Sequence, residues 1–145
     1  MIDILIFIIL LIGFLGIYFI IQNSKDKISD LPSFRGILLV DKEKIQEKWR
    51  ELEQLMRLGG ESRFKTAIVE ADKLLMSVLE MMGFEGPGAE KLQKAKNLFS
   101  DYNGIWQAHL LRNEVVHNID VKIIKENAQE AIGKFKQGLK DLGVL

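Results

Sequence analysis

The chain has 145 residues, with 20 Lys and Arg against 20 Asp and Glu and no cysteine. This length suits one domain, and the missing cysteines exclude a disulfide framework and a thiolate metal site. Asp3 is the one charge before Gln22, so the remainder carries 20 basic against 19 acidic residues (20 − 1), a net +1, without the basic excess that tight non-specific nucleic-acid binding needs.

Ile4 to Ile21 read ILIFIILLIGFLGIYFII, 18 residues without a charge. At helical rise they span about 27 Å, close to a bilayer core of about 30 Å. Tyr18 stands near one end, where an aromatic ring with a polar tip prefers the headgroups. No Lys or Arg precedes the run and no small-x-small cleavage site follows it, which favours a retained anchor over a signal peptide. Residues 1–22 are therefore expected to form a single transmembrane helix in the lipid bilayer. Lys25, Lys27 and Arg35 follow it, so the positive-inside rule predicts a single-pass cell-membrane protein whose C-terminal part faces the cytoplasm.

Residues 23–40 read as a tether: Ser, Asp, Lys and one Pro mix without periodicity, and Gly36 to Val40 is an apolar run too short to assign to a helix or strand. A helical domain is expected over residues 41–145. Asp41 is the predicted N-cap of its first helix, with a Val40–Ile45 hydrophobic staple, and Gly59-Gly60 ends that helix after about Leu58. Ser62 is expected to cap a second helix to about Met82. Its stripe Phe64, Ile68, Ala71, Leu75, Val78, Leu79 and Met82 has helical spacing. The loop GFEGPG lacks the Lys-Ser/Thr of a phosphate loop and reads as a turn. A short helix over about Ala89–Phe99 follows, then a turn, SDYNG, then a helix from about Ile105 to His117. Asp120 is the predicted cap of a last helix that runs to about Leu142 and stops at Gly143. Trp49, Trp106 and the Met76, Met81, Met82 group read as core residues. The fold class is all-α: one N-terminal transmembrane helix, then an up-and-down bundle of four to five helices.

The Ile105–His117 helix carries the chemistry. At 100° per residue, Ala108, Leu111, Val115, Val116 and Ile119 fall on one arc, and Arg112 lies in its middle. A lone guanidinium is too costly to bury there, so Arg112 needs a carboxylate, a dimer partner or an anionic ligand. His109, Asn113 and His117 follow at i, i+4 and i+8 along its edge. The two histidines are too far apart to chelate one metal together and no Cys supports them, so neither metal nor cofactor is expected.

Arg112-Asn113-Glu114-Val115-Val116-His117 resembles the signature of HEPN domains: Arg, a polar residue that is often Asn, a few residues, then His. Those domains are small helical bundles with the motif on a late helix. AHLLRNEVVH and IVEADKLL are also similar to segments of small bacterial membrane proteins. The resemblance implies a metal-independent endoribonuclease, in a defence or toxin role, in which a homodimer brings two motifs together on RNA. His117 would then move protons at the attacking 2′-hydroxyl or the leaving oxygen, Arg112 would hold the scissile phosphate, and Asn113 would orient the histidine. The alternative is a non-enzymatic dimerisation module tethered to the membrane. In that reading Asp72 or Glu70, at the two shoulders of the second helix's stripe, pairs internally with Arg112, and His109, Asn113 and His117 are interhelical hydrogen bonders.

Overall fold

The computed structural model describes residues 42–118 and 120–145. The anchor expected over 1–22, the tether over 23–40, the Asp41 cap, the Val40 half of the staple and Ile119 lie outside them. The described residues form five α-helices and one 3-10 turn, without a strand: α1 Lys42–Leu58, α2 Glu61–Met81, α3 Gly88–Lys94, the turn Lys96–Leu98, α4 Tyr102–His117 and α5 Lys125–Asp141. No helix among the described residues is long and apolar enough to cross a membrane.

The elements end where local chemistry dictates. Gly59 (φ 69°) and Gly60 (φ 98°) reverse the chain in a left-handed conformation that side chains resist. That reversal lets α2 begin directly at Glu61, with no side-chain cap, so Ser62 is not the cap the sequence predicted. Its carbonyl sits inside the first turn and accepts from Thr66 Oγ1. The expected start of α4 also moves. Asp101 Oδ1 accepts from the Gly104 N–H at 2.9 Å, and this cap draws Tyr102, Asn103 and Gly104 into the helix instead of leaving them in a turn. Asp120 does not cap α5, which begins at Lys125 behind Ile124. The Asp120 N–H instead donates to Asn118 Oδ1 in a local turn. Gly143, at φ 72°, stops α5 as expected.

α2 is the central helix and packs against α1, α3, α4 and α5, while α5 also packs on α4. Every residue of the predicted α2 stripe is buried. Ile68, Leu75 and Leu79 meet Ile105 from α4 and Phe135 and Leu139 from α5 in one core. Each fully buried side chain of this size contributes about 1.5–3 kcal/mol. Trp49 is buried with its indole N–H donating to Glu53, and Trp106 is half-buried against the core. Met82 is buried and Met76 half-buried, but Met81 is exposed at the end of α2 and does not fill the core.

Candidate functional site

The site lies where α4 crosses α2. Asp72 follows Ile68 by one turn, so it sits on the buried face of α2 and not at its shoulder, and it is 2% exposed. Its carboxylate meets two α4 side chains. His109 Nδ1 stands 2.7 Å from Asp72 Oδ1, so the tautomer with its proton on Nδ1 donates to the carboxylate. Arg112 Nε lies 3.3 Å from Asp72 Oδ2. That Nε–H is buried and points off the line to the oxygen, so the contact is an ion pair without an aligned hydrogen bond. Arg112 Nη1 donates to Asn113 Oδ1 at 2.9 Å. Glu70, the other candidate partner, is engaged with Lys73 at 2.7 Å on the exposed side of α2.

One face of α4 opens progressively to solvent. Ile105, Ala108, His109, Arg112 and Val116 share it at helical spacing. The residues are 0% exposed at Ile105, 4% at Ala108, 6% at His109 and 46% at Val116, and the Arg112 side chain between the last two is 24% exposed. The first half of the helix is inserted in the bundle. The second half carries the same face outward past the end of the neighbouring packing. His117, on the last residue of α4, is exposed and makes no hydrogen bond or ion pair with the described residues.

The polar edge expected along His109, Asn113 and His117 therefore divides. His109 belongs to the interior, Asn113 is half-buried beside Arg112, and His117 faces solvent. Packing around His109 explains its place. The Trp106 ring lies 6.1 Å away, centroid to centroid, on the same helix. On another side the backbone of Gly88, at the start of α3, comes so close that a Cβ there would lie 3.0 Å from His109 Cε1 and 3.4 Å from Met76 Sδ. A side chain at position 88 would require the imidazole to give by a few tenths of an ångström.

No protein-family model, curated protein or solved structure matches the chain.

Chemically, Asp72 ties α4 to α2 through a paired carboxylate. The Arg112 side chain is 24% exposed, although its Nε is buried. The described residues contain no group of three or more His, Cys, Asp or Glu placed to hold a metal ion. The sequence points to Asp72 as a partner for Arg112 but does not join it to His109. Gly88 also escapes a reading by sequence, since its one signal is a glycine within a loop that looks like an ordinary turn.

Proposed function

We propose that this chain is a membrane-anchored, HEPN-like helical module that acts as a homodimer through the C-terminal half of α4. The observation that carries this reading is the outward run of one α4 face, from buried His109 through half-open Arg112 to exposed Val116. An apolar residue continuing a core face into solvent suits a second copy of the same helix, since a two-fold interface uses one patch twice. Asp72, by holding Arg112 within one subunit, favours a structural use of the motif over a free catalytic arginine. The uncharged Ile4–Ile21 run supports the anchor, and Lys25, Lys27 and Arg35 support a cytoplasmic bundle.

A second reading, metal-independent RNA cleavage, is favoured by one specific feature: exposed His117 on the same end of α4 as the solvent-reaching part of Arg112. An imidazole suits proton transfer near neutral pH, and a guanidinium fork suits phosphate oxygens.

The experiment that separates the readings uses the full chain in detergent or vesicles. It should sediment with membranes and resist carbonate extraction, and chemical crosslinking should trap dimers. Incubation with single-stranded RNA and EDTA should leave the RNA intact if the module is non-enzymatic. Fragments with 2′,3′-cyclic phosphate ends, lost in His117→Ala, would establish the nuclease instead. A full-length chain that is monomeric throughout would defeat the dimer on which both readings depend.

A further inference from the structure

The two most exposed large apolar side chains among the described residues are Leu58, at 61%, and Ile124, at 57%. Packing inside the bundle explains neither. Leu58 is the last residue of α1, and the chain reverses directly after it through Gly59 and Gly60. Ile124 stands at the N-cap of α5. A small polar side chain there would accept from a free N–H of the first turn, and an isoleucine accepts from none. Helix capping does not account for it either.

Both residues lie at one end of the bundle, where α1 and α4 finish and α2 and α5 begin. Glu61, the first residue of α2, joins the two turns. Its carboxylate pairs with Lys65 at 2.9 Å, and Lys65 first, then the Ile123 N–H and the charge of Lys122, hold it below its ordinary 4.5. Cations surround the apolar pair. Arg57 and Lys125 adjoin Leu58 and Ile124 in sequence, and Lys122 lies two residues before Ile124. Arg63 Nη1 donates to the Gly59 carbonyl at 2.9 Å, which holds its guanidinium over the turn after Leu58. All four are exposed. Residues 57–65 and 117–126 together hold five Lys and Arg against three Asp and Glu, a net +2, while the rest of 42–145 holds 12 against 13. The positive excess of the bundle is therefore gathered at this end.

Apolar side chains set among exposed cations suit an anionic bilayer surface. The apolar groups enter between headgroups, and the basic side chains reach the lipid phosphates. RNA would use the cations but not Leu58 and Ile124. The anchor reading puts a bilayer within covalent reach. The 19 residues from 23 to 41 span at most about 65 Å, and α2, the longest described helix, is about 32 Å long. We propose that the Leu58–Ile124 end of the bundle docks on an anionic bilayer surface and inserts these two side chains among the headgroups. The choice of partner rests on the anchor reading, and the surface depends neither on the dimer nor on RNA cleavage.

The test exploits the absence of native cysteines. An environment-sensitive fluorophore is attached at Ile124→Cys in the full chain. The control carries it at Asn97→Cys, exposed in the 3-10 turn before α4 and so at the opposite end. Each chain is reconstituted in vesicles of equal parts phosphatidylcholine and phosphatidylglycerol, with a quencher attached to the acyl chains near the headgroups. Docking predicts several-fold stronger quenching at position 124 than at 97. The difference should shrink in phosphatidylcholine alone and vanish in Leu58→Asp at unchanged helical signal. Equal quenching at the two positions, in a chain that resists carbonate extraction, overturns docking and leaves the anchor intact. Quenching at 124 in a chain that carbonate releases upholds docking and defeats the anchor, and a chain that does not sediment with the vesicles defeats both. A probe at 124 that is shielded in detergent without vesicles assigns this end to a second copy. One that responds to single-stranded RNA but not to vesicles assigns it to RNA. Either result also overturns the proposal.

Discussion

Asp72 and His109 face each other across the α2–α4 contact, with Oδ1 2.7 Å from Nδ1 and both side chains shielded from water. The same carboxylate lies 3.3 Å from Arg112 Nε. One acidic residue thus serves two basic side chains, and its loss leaves both without it.

Asp72→Ala should be the most destabilising change in the site, by about 3–5 kcal/mol, because it strands polar groups in the interior. Arg112→Ala should cost less, about 1–3 kcal/mol, since the Arg112 side chain is only partly buried and its Nε makes no aligned hydrogen bond. Urea denaturation measures both. A double-mutant cycle between positions 72 and 112 should give a coupling of about 0.5–3 kcal/mol. A coupling near zero would show that the 3.3 Å approach stabilises nothing.

Val116→Asp should break the proposed dimer while leaving the bundle folded. The side chain is exposed in the single chain, so its effect on unfolding should stay within about 0.5 kcal/mol. Light scattering on the detergent-solubilised chain should report a shift from dimer to monomer. Retention of the dimer would place the interface elsewhere.

Two glycine substitutions should have opposite signs. Gly88→Ala pushes a methyl to 3.0 Å from a His109 ring that Asp72 holds, and should destabilise by about 1–3 kcal/mol. Gly133 lies inside α5, and nothing stands within 4 Å of the place an added methyl would take, so Gly133→Ala should stabilise by about 0.5–1 kcal/mol. Thermal melts of the two variants beside the parent chain test the pair, and a fall in Tm for Gly133→Ala would contradict the open space around it.

The fold should weaken in acid. The hydrogen bond from Lys136, joined by that from Trp49, holds the Glu53 carboxyl below its ordinary 4.5. Lys134, with the Gly104 N–H, holds Asp101 below 3.8. At Asp141 burial opposes ionisation, but hydrogen bonds from the Ser100 N–H, Gln137 and the Ser100 hydroxyl prevail and lower it as well. A carboxyl with a lowered folded value contributes stability above its unfolded value and loses it as pH falls through the folded value. Lys134 is raised above 10.5 by its hydrogen bond to Asp101, so its contribution is full below that value and lost as pH rises through the folded one. Tm should therefore be level between these limits and decline below about pH 4.5. Lys136→Met should flatten the acid decline, and an unchanged acid profile in that variant would count against the Glu53 pair.

Much of the bundle was legible from periodicity and glycine placement. The α2 stripe from Phe64 to Met82 is buried throughout, and Gly59-Gly60 and Gly143 end their helices as expected. These are local properties: a 3.6-residue repeat defines an apolar face within one helix, and a positive φ favours glycine whatever lies nearby. Arg112 was also legible as a charge in need of company, because the cost of burying it follows from its own helix. Tertiary structure decided the rest. A local cap at Asp101 starts α4 early and a local turn at Asn118 accompanies the exclusion of Asp120 from α5, but the side-chain pairings were made by the tertiary structure. It gave Asp72 two partners and sent Glu70 to Lys73. It buried His109 and exposed His117, although both stand on the same helix. The sequence of a helix specifies which residues share a face, but the rotation and offset of α4 against α2 and α3 determine where along that face the covering ends. That offset is settled by contacts between distant positions, such as Gly88 against His109 and Asp72 against Arg112, and no local pattern encodes it.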